Sequence, residues 1–158
     1  NLYGPKDNYD IDTSHVMASL IRKFFEAKQN NSKQVICWGS GKPLREFLYV
    51  DDLAEACFYL LGKWFPEKEN SPKDTNGNIL NWLNVGSDFE ISIKELAEKI
   101  AVIVGFTGEI LWDESKPEGT PRKKLDNSKI NKIGWHAKTD LNMGIKKTLE
   151  SFQKEKNF

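Results

Sequence analysis

Residues 14–29 limit the possible folds most, because they carry a wide apolar stripe at helical spacing. The stripe consists of Val16, Met17, Leu20, Ile21, Phe24 and Phe25. A helix with such a face must bury it against other elements. We therefore predict a helix over residues 14–29, capped by Thr13 or Ser14, whose apolar face enters a core supplied by the rest of the chain.

The rest of the sequence mixes short strands with helices. Strands are predicted at residues 34–38, 46–50, 80–85 and 109–112, and helices at 51–65, 92–104, 127–133 and from 140 onward. The predicted N-caps of three of these helices are Asp51, Ser92, which forms a capping box with Glu95, and Asp140. The helix that begins at Asp51 is expected to turn Ala54, Cys57, Leu60, Leu61 and Trp64 inward. Residues 66–78 have the composition of a mobile surface loop. This order predicts a mixed α/β fold in a single domain covering residues 1–158.

A complete dinucleotide-binding fold would need two features that this sequence lacks. Strands and helices do not alternate regularly, and no glycine-rich fingerprint follows a first strand. The chain also opens with Asn1 rather than methionine, directly in the turn sequence N-L-Y-G-P. We expect it to be a piece of a longer polypeptide.

The charge balance argues against several classes of partner. Lys and Arg together number 23, as do Asp and Glu, so the formal net charge is zero. Such a chain has no long-range field to attract nucleic acid or an anionic membrane, and no apolar run approaches the roughly 20 residues that span a bilayer. Cys37 and Cys57 are far apart and are interpreted as buried apolar residues, not as a disulfide or metal site. We predict a cytoplasmic protein with no nucleic-acid, membrane or metal partner.

His15 is the first candidate for chemistry. It is one of 2 histidines, and an unperturbed imidazole pKa near ~6.5 makes it a natural proton donor or acceptor. The alternative is a histidine at a helix start that only bonds a nearby carbonyl. His136 has no supporting context and is interpreted as structural.

A second candidate is the segment from Trp38 to Arg45, which combines an aromatic plane, a flexible turn and a guanidinium. Indole can stack on a purine, and arginine can bind phosphate oxygens through two parallel hydrogen bonds. A hairpin with a core tryptophan and a solvated arginine explains the same residues equally well. The short Gly-Ser-Gly run is too weak a motif to indicate a phosphate loop.

Two further charged segments have structural alternatives. Asp51 and Asp52 are better explained by a helix N-terminus, where carboxylates complement the dipole, than by acid–base catalysis. Residues 116–124 form a basic loop with two prolines, which could close over an anionic ligand or be a solvated charge run.

Taken in order, the motifs of this chain resemble the carboxy-terminal half of GDP-L-fucose synthases, in the extended short-chain dehydrogenase/reductase superfamily. The strings are N-L-Y-G-P-x-D-N, S-H-V, W-G-S-G-x-P-x-R-E-F-L-Y-V-D-D-L-A, N-V-G, S-I-K-E-L-A-E-K-I, S-K-P-x-G-T-P-R-K and G-W. The R-E-F and N-V-G strings are common across nucleotide-sugar epimerases, whereas S-H-V and S-K-P-x-G-T-P-R-K point more narrowly to this family. The resemblance implies a substrate-binding α/β domain without the amino-terminal Rossmann half.

The resemblance also implies an activity, which is the NADP-dependent conversion of GDP-4-keto-6-deoxy-D-mannose to GDP-L-fucose by 3,5-epimerisation and 4-reduction. The full-length protein would be a homodimer, and the isolated chain would be inactive because the NADP site lies mostly in the other half. Rivals are another nucleotide-sugar epimerase or dehydratase that uses a UDP- or dTDP-sugar, and a non-catalytic binding module.

The resemblance assigns roles to individual residues. His15 matches the proton donor or acceptor for epimerisation. Lys23, Trp38, Arg45 and Glu118 match positions that contact the GDP-sugar in the family. Asn1 and Leu2 match the end of a segment that lines the family's NADP site. At position 118 this chain has Glu where the family commonly has Asp, which moves the carboxylate by one methylene.

Overall fold

The computed structural model describes residues 1–66 and 71–156, and the prediction of a mixed α/β fold is confirmed. Its elements in chain order are β1 (Leu2–Tyr3), α1 (Val16–Gln29), β2 (Gln34–Trp38), β3 (Leu44–Glu46), β4 (Leu48–Tyr49), α2 (Val50–Lys63), β5 (Glu90–Ser92), α3 (Ile93–Val104), β6 (Glu109–Asp113), β7 (Arg122–Lys123), α4 (Ser128–Ile133) and α5 (Leu141–Glu155).

The strands form three small sheets among the described residues. β1 pairs in parallel with β4, and β2 pairs in parallel with β6. In the third sheet β3 is central, with β5 antiparallel on one edge and β7 parallel on the other. Since β2 leads to β3 and β6 leads to β7, the two connecting loops, residues 39–43 and 114–121, lie at the same end of the paired strands.

The main core is built on the stripe of α1, as the sequence predicts. Met17, Leu20, Ile21, Phe24 and Phe25 are buried, and Val16 packs against the same cluster. Helices α3 and α5 supply the opposing apolar faces. The rings of Phe25 and Phe152 meet edge to face with centroids 5.5 Å apart, which ties α1 to α5.

Two of four predicted helix caps, those at Ser92 and Asp140, are confirmed. Ser92 and Glu95 form a reciprocal capping box at the start of α3, and the Asp140 carboxylate accepts from the backbone N–H of Met143 at the start of α5. The cap predicted for α1 is wrong, because His15 occupies the N-cap position without a side-chain bond to the helix. The Thr13 hydroxyl instead donates to Asp10 at 2.9 Å.

The strand predictions are corrected at two places. The predicted strand over residues 46–50 is divided into β3 and β4, with Phe47 between them. Residues 80–85 form no strand and pair with none of the three sheets. Of the predicted loop at residues 66–78, positions 67–70 lie outside the described residues, and the Asp74 carboxylate organises the next turn by accepting from the backbone of Asn78.

The predicted orientation of α2 is wrong for Ala54, Cys57 and Leu61, whereas Leu60 packs inward as predicted and Trp64 is half-buried. The face that packs against α4 contains Ala56, which is fully buried, and the partly buried residues Leu53, Tyr59 and Leu60. Ala54, Cys57 and Leu61 point outward, so the prediction of a buried Cys57 is also wrong, whereas Cys37 is buried as expected.

The N-terminus of α2 supports the structural interpretation of its two aspartates. Tyr49, not Asp51, is the N-cap residue, and Asp51 and Asp52 lie in the first turn, where negative charge complements the helix dipole. Asp52 is buried and accepts from the backbone N–H of Thr139 at 2.9 Å and from the Thr139 hydroxyl at 3.0 Å. It therefore fixes α2 to the segment before α5.

Residues 1–66 and 71–156 contain neither a helix that could span a membrane nor a cluster of metal-binding side chains. No helix there combines the length and apolar character needed to cross a membrane. No group of three or more His, Cys, Asp or Glu residues in these ranges is arranged to hold a metal ion.

Candidate functional site

The loops that follow β2 and β6 enclose a cleft, because their strands are paired side by side. The cleft has a volume of about 240 Å³. Its lining residues are Val16, Trp38, Gly41, Pro43, Arg45, Ile93, Pro117, Glu118 and Gly119. The cleft thus brings together three of the four predicted GDP-sugar contacts, namely Trp38, Arg45 and Glu118. Trp38 and Glu118 come from segments about 80 residues apart in the sequence.

Trp38 is a surface residue and not part of the core. Its side chain is 62% exposed, because the alternation of β2 turns Val35 and Cys37 inward and Trp38 outward. The Lys23 ammonium lies 5.4 Å from the centroid of the indole ring, and the Lys116 ammonium lies 5.6 Å from it. The alternative of a core tryptophan is therefore excluded, and the exposed ring carries two neighbouring cations.

Arg45 is half-buried at the cleft wall and forms no ion pair with any described residue. Its Nη1 donates to the carbonyl of Leu44 at 2.8 Å. Among the described residues, the ion pairs involve Arg22, Arg122 and Lys138, and none involves Arg45. A guanidinium whose charge is not matched by a carboxylate is suited to a bound anion, and its planar fork fits phosphate oxygens in particular.

Glu118 joins the two loops of the cleft. Its carboxylate accepts a hydrogen bond from the backbone N–H of Ser40, and hydrogen bonding to Ser40 lowers the pKa of this carboxyl. The contact requires glycine at position 39, where φ is +79° and a Cβ atom would lie 2.7 Å from the Glu118 Cγ. The structure therefore gives Glu118 a tethering role in addition to its predicted place beside the ligand.

His15 lies at the margin of the cleft. It is exposed at the N-cap of α1, and the next residue, Val16, lines the cleft, although His15 itself does not. Asp7 is close enough to interact with it electrostatically. Burial raises the pKa of Asp7, while the Asn8 backbone N–H and the charge of His15 oppose that rise. Asp7 is thus a candidate partner that could orient the imidazole.

Asn1 and Leu2 lie beside a second, smaller cavity, of about 200 Å³, at the carboxyl ends of β1 and β4. Leu2 lines it and is 48% exposed. Asn1 does not line it, because its side-chain amide donates to the carbonyl of Glu46 at 2.9 Å. Open α/β sheets bind ligands at this end of their strands, so Leu2 could offer a contact to a cofactor while Asn1 positions the strand.

Two residues of the site were not identified from the sequence. Lys116 belongs to the basic loop that the sequence singles out, but its place over Trp38 follows only from the pairing of β2 with β6. Asp7 lies in a turn rich in acidic and amide residues, and nothing in the pattern distinguishes it from Asp10 or Asp12. Both depend on contacts between distant segments.

A larger groove, of about 990 Å³, lies elsewhere, between α3 and α5. It contains none of the predicted site residues. Its rim combines carboxylates of Glu90, Glu95 and Glu98 with ammonium groups of Lys99 and Lys146, so it has no net preference for an anion. We therefore place the candidate site at the smaller cleft, where the unmatched guanidinium and exposed indole converge.

Known proteins resemble this chain in both sequence and fold. The family model "NAD dependent epimerase/dehydratase family" matches residues 1–76. The chain is 48% identical over 148 residues to "Probable GDP-L-fucose synthase 1" of Oryza sativa subsp. japonica, covering 94% of this chain and 41% of that relative. It is 45% identical over 154 residues to "GDP-L-fucose synthase 1" of Arabidopsis thaliana, covering 98% of this chain and 44% of that relative.

A solved structure agrees. The "gdp-l-fucose synthetase from Naegleria fowleri bound to NADP" superimposes with a TM-score of 0.81 at 29% identity, covering 99% of this chain and 46% of that chain. This chain thus spans less than half the length of the relatives that it matches, as expected for one half of an extended short-chain dehydrogenase/reductase. The chain matches the NAD dependent epimerase/dehydratase family model over residues 1–76 and is similar, over nearly all of its own length, to the GDP-L-fucose synthases.

Proposed function

We propose that this chain is the substrate-binding domain of a GDP-L-fucose synthase, which converts GDP-4-keto-6-deoxy-D-mannose to GDP-L-fucose by 3,5-epimerisation and 4-reduction. The observation that carries the proposal is the exposed indole of Trp38 in one cleft with the guanidinium of Arg45, which no carboxylate of the described residues neutralises. In this proposal residues 1–158 form a single substrate-binding domain.

The cleft offers complementary groups to both parts of a guanosine diphosphate. The Trp38 ring provides a plane on which a purine can stack. Arg45 provides a two-pronged contact to the diphosphate. Lys23 and Lys116, whose ammonium groups already lie 5.4 and 5.6 Å from the indole centroid, add positive charge beside the same ring. Glu118 keeps the two loops together around the ligand.

His15 is the proposed acid–base residue for epimerisation. Its exposed imidazole lies one residue before Val16, which lines the cleft, so a sugar that extends from the diphosphate toward α1 would approach it. Epimerisation next to a keto group requires a proton to be removed from carbon and returned on the other face. Asp7, whose pKa reflects the charge of His15, is proposed to orient the imidazole.

The cofactor proposed for the reductive step is NADP, which is bound in the structure of the Naegleria fowleri relative. When bound, it would supply the hydride that reduces the 4-keto group. The described residues fit it only at the margin, with Leu2 exposed at the carboxyl end of β1. We therefore expect the chain alone to carry out no reduction. A cytoplasmic location, predicted from composition and cysteine usage, and a homodimeric full-length protein, implied by the family resemblance, both stay predictions.

The catalytic part of this proposal is tested in a composite protein, in which this chain replaces the matching region of the Arabidopsis thaliana relative. We expect the composite protein to oxidise NADPH in the presence of the keto sugar, and the isolated chain not to do so. Replacing His15 with Asn should lower kcat about 100-fold or more, because positioned general acids and bases contribute 10²–10⁴-fold. Affinity for GDP-mannose, measured by calorimetry, should stay unchanged.

His136→Asn is the matched control, since this second histidine lies outside the cleft. It should leave both kcat and GDP-mannose affinity as they are. Equal activity of the His15→Asn and parent composite proteins would remove His15 from the mechanism. NADPH oxidation by the isolated 158-residue chain would show that the division of labour proposed here is wrong.

A further inference from the structure

Residues 8–14, the entry turn, lead into His15 and fix where α1 begins. His15 occupies the N-cap of α1, but its imidazole makes no capping bond to the helix. An Asp, Asn, Ser or Thr at this position would accept from the first-turn amides and stabilise the helix by about 1 kcal/mol. Because the imidazole has no such bond to hold it, its position depends on the backbone of the entry turn.

Asp10 closes the entry turn. Its Oδ1 accepts hydrogen bonds from the backbone N–H of Asp12 at 3.1 Å, from the backbone N–H of Thr13 at 3.0 Å and from the Thr13 hydroxyl at 2.9 Å. Its carbonyl accepts from the backbone N–H of Ser14 at 3.1 Å. The contacts of this one residue thus fix the backbone up to the position immediately before His15.

The beginning of the entry turn is fixed to the core. Tyr9 is buried, and its ring centroid lies 4.4 Å from that of Phe152 in α5. Its carbonyl accepts from the Nη1 of Arg22 in α1 at 2.7 Å. One end of the turn is therefore tied to α1 and α5 while the other is closed by Asp10, so the backbone enters α1 along one defined path.

We propose that Asp10 is a positioning residue for epimerisation, which acts through the backbone of the entry turn to hold His15 beside the cleft. The inference rests on the proposed function, because it assumes that His15 exchanges protons with the sugar. A displacement of about 1 Å at a reacting group can slow a reaction about 100-fold. A turn that fixes the imidazole can therefore control the rate without touching the ligand.

Asp10 is a poor candidate for the acid or base itself. Its Oδ1 is occupied by the bonds that close the turn, and hydrogen bonds from Thr13 and Asp12 lower the pKa of its carboxyl. A carboxylate with a lowered pKa is a weaker base. The structure thus separates the group that positions from the group that transfers protons.

Two substitutions distinguish the turn from the charge of Asp10. Asp10→Ala removes the acceptor that closes the turn, whereas Asp10→Asn removes only the charge and keeps a side-chain oxygen that can close the same turn. Asp12→Ala is the matched control, because Asp12 is exposed in the same turn and its carboxylate accepts no hydrogen bond from the described residues.

The rate of proton exchange at carbon is measured in the composite protein in D₂O. A proton that is removed from carbon and returned from the solvent leaves deuterium on the sugar, so mass spectrometry of the sugar reports epimerisation separately from hydride transfer. We expect Asp10→Ala to slow deuterium uptake about tenfold or more. Asp10→Asn and Asp12→Ala should stay within about threefold of the parent composite protein, because both keep the turn closed. All variants should bind GDP-mannose equally by calorimetry.

His15→Asn in the same assay separates this inference from the proposed function. Unchanged deuterium uptake in His15→Asn would remove the base that Asp10 is proposed to position, and both proposals would fail. Slower uptake in His15→Asn with unchanged uptake in Asp10→Ala would show that the positioning role alone is wrong. Equal slowing by Asp10→Ala and Asp10→Asn would assign the effect to charge and overturn the role of the turn.

Amide hydrogen exchange in the isolated chain tests the turn without any activity. The Thr13 N–H should exchange about tenfold or more faster in Asp10→Ala than in the parent chain, because its acceptor is gone, and at the parent rate in Asp10→Asn. Unchanged Thr13 exchange in Asp10→Ala would show that the turn closes without the carboxylate. That result would overturn the proposal even where the composite variant is too unstable to assay.

Discussion

Replacing Arg45 with alanine is expected to weaken GDP binding to this chain about 10- to 100-fold. Hydrogen bonds to a charged group contribute about 1.5–3 kcal/mol, and each 1.4 kcal/mol corresponds to a tenfold change in affinity. Arg45 has no acidic partner among the described residues, so its removal leaves no carboxylate uncompensated and the loss reports on the ligand alone. Isothermal titration calorimetry with GDP measures it.

Two further variants sharpen this result. Arg45→Lys keeps the charge but loses the planar fork, so its affinity should fall between those of Ala and the parent chain. Arg122→Ala is the matched control, since Arg122 is exposed, pairs with Glu90 at 2.7 Å and does not line the cleft. If Arg45→Ala and Arg122→Ala weaken GDP binding equally, Arg45 has no specific role in the site.

The second large effect concerns Glu46, a carboxylate that is only 3% exposed. It accepts hydrogen bonds from the backbone N–H of Asp88 at 2.7 Å, from that of Leu125 at 3.1 Å and from the side-chain amide of Asn127 at 3.1 Å. Glu46→Ala breaks all three hydrogen bonds and leaves the two backbone N–H groups without this acceptor, while the Asn127 amide keeps its bond to Asp88 at 3.0 Å. Because each buried unsatisfied group costs about 1–3 kcal/mol, the free energy of unfolding should fall by about 3 kcal/mol or more.

Urea denaturation followed by tryptophan fluorescence measures this change. Glu98→Ala is the control, because Glu98 lies on the exposed side of α3 and should alter the free energy of unfolding by less than about 0.5 kcal/mol. A loss below about 1 kcal/mol for Glu46→Ala would mean that water or a rearranged loop replaces the carboxylate, and that the network is not a fixed part of the fold.

This network also brings the N-V-G and R-E-F strings of the chain into contact. At Gly86, in the N-V-G string, a Cβ atom would lie 2.5 Å from the Glu46 Oε1 and 2.6 Å from the Asn127 Nδ2. Only glycine leaves room for the glutamate of the R-E-F string to reach its donors. These residues therefore maintain the domain, whereas the adjacent Arg45 points its guanidinium toward the cleft.

The sequence predicts well those features that depend on neighbouring residues. The apolar stripe of α1, the capping box at Ser92 and the aspartate cap of α5 all follow from spacing within one turn of helix, and all are confirmed. The candidate residues Trp38 and Arg45 were also recognised from local chemistry. Their two interpretations, as binding residues or as an ordinary hairpin, could not be separated without knowing the exposure of the indole.

The features that the sequence does not predict depend on contacts between distant segments. Lys116 reaches Trp38 because β6 pairs with β2, which no local pattern specifies. The orientation of α2 is mispredicted because this helix is apolar on two sides, and spacing alone cannot tell which side α4 covers. The predicted strand over residues 80–85 is wrong, because a strand forms only where a partner strand pairs with it and local composition does not specify that partner.

The central claim, that the Trp38–Arg45 cleft holds a guanosine diphosphate sugar, is tested most directly by the melting temperature of this chain with GDP-mannose and with UDP-glucose. A ligand that binds only the folded state adds about 2.7 kcal/mol of stability at 100 times its Kd. GDP-mannose should raise the melting temperature, Trp38→Ala should abolish the rise, and UDP-glucose should have no effect. An equal or larger shift with UDP-glucose, or no GDP-mannose shift in the folded chain, would contradict the account.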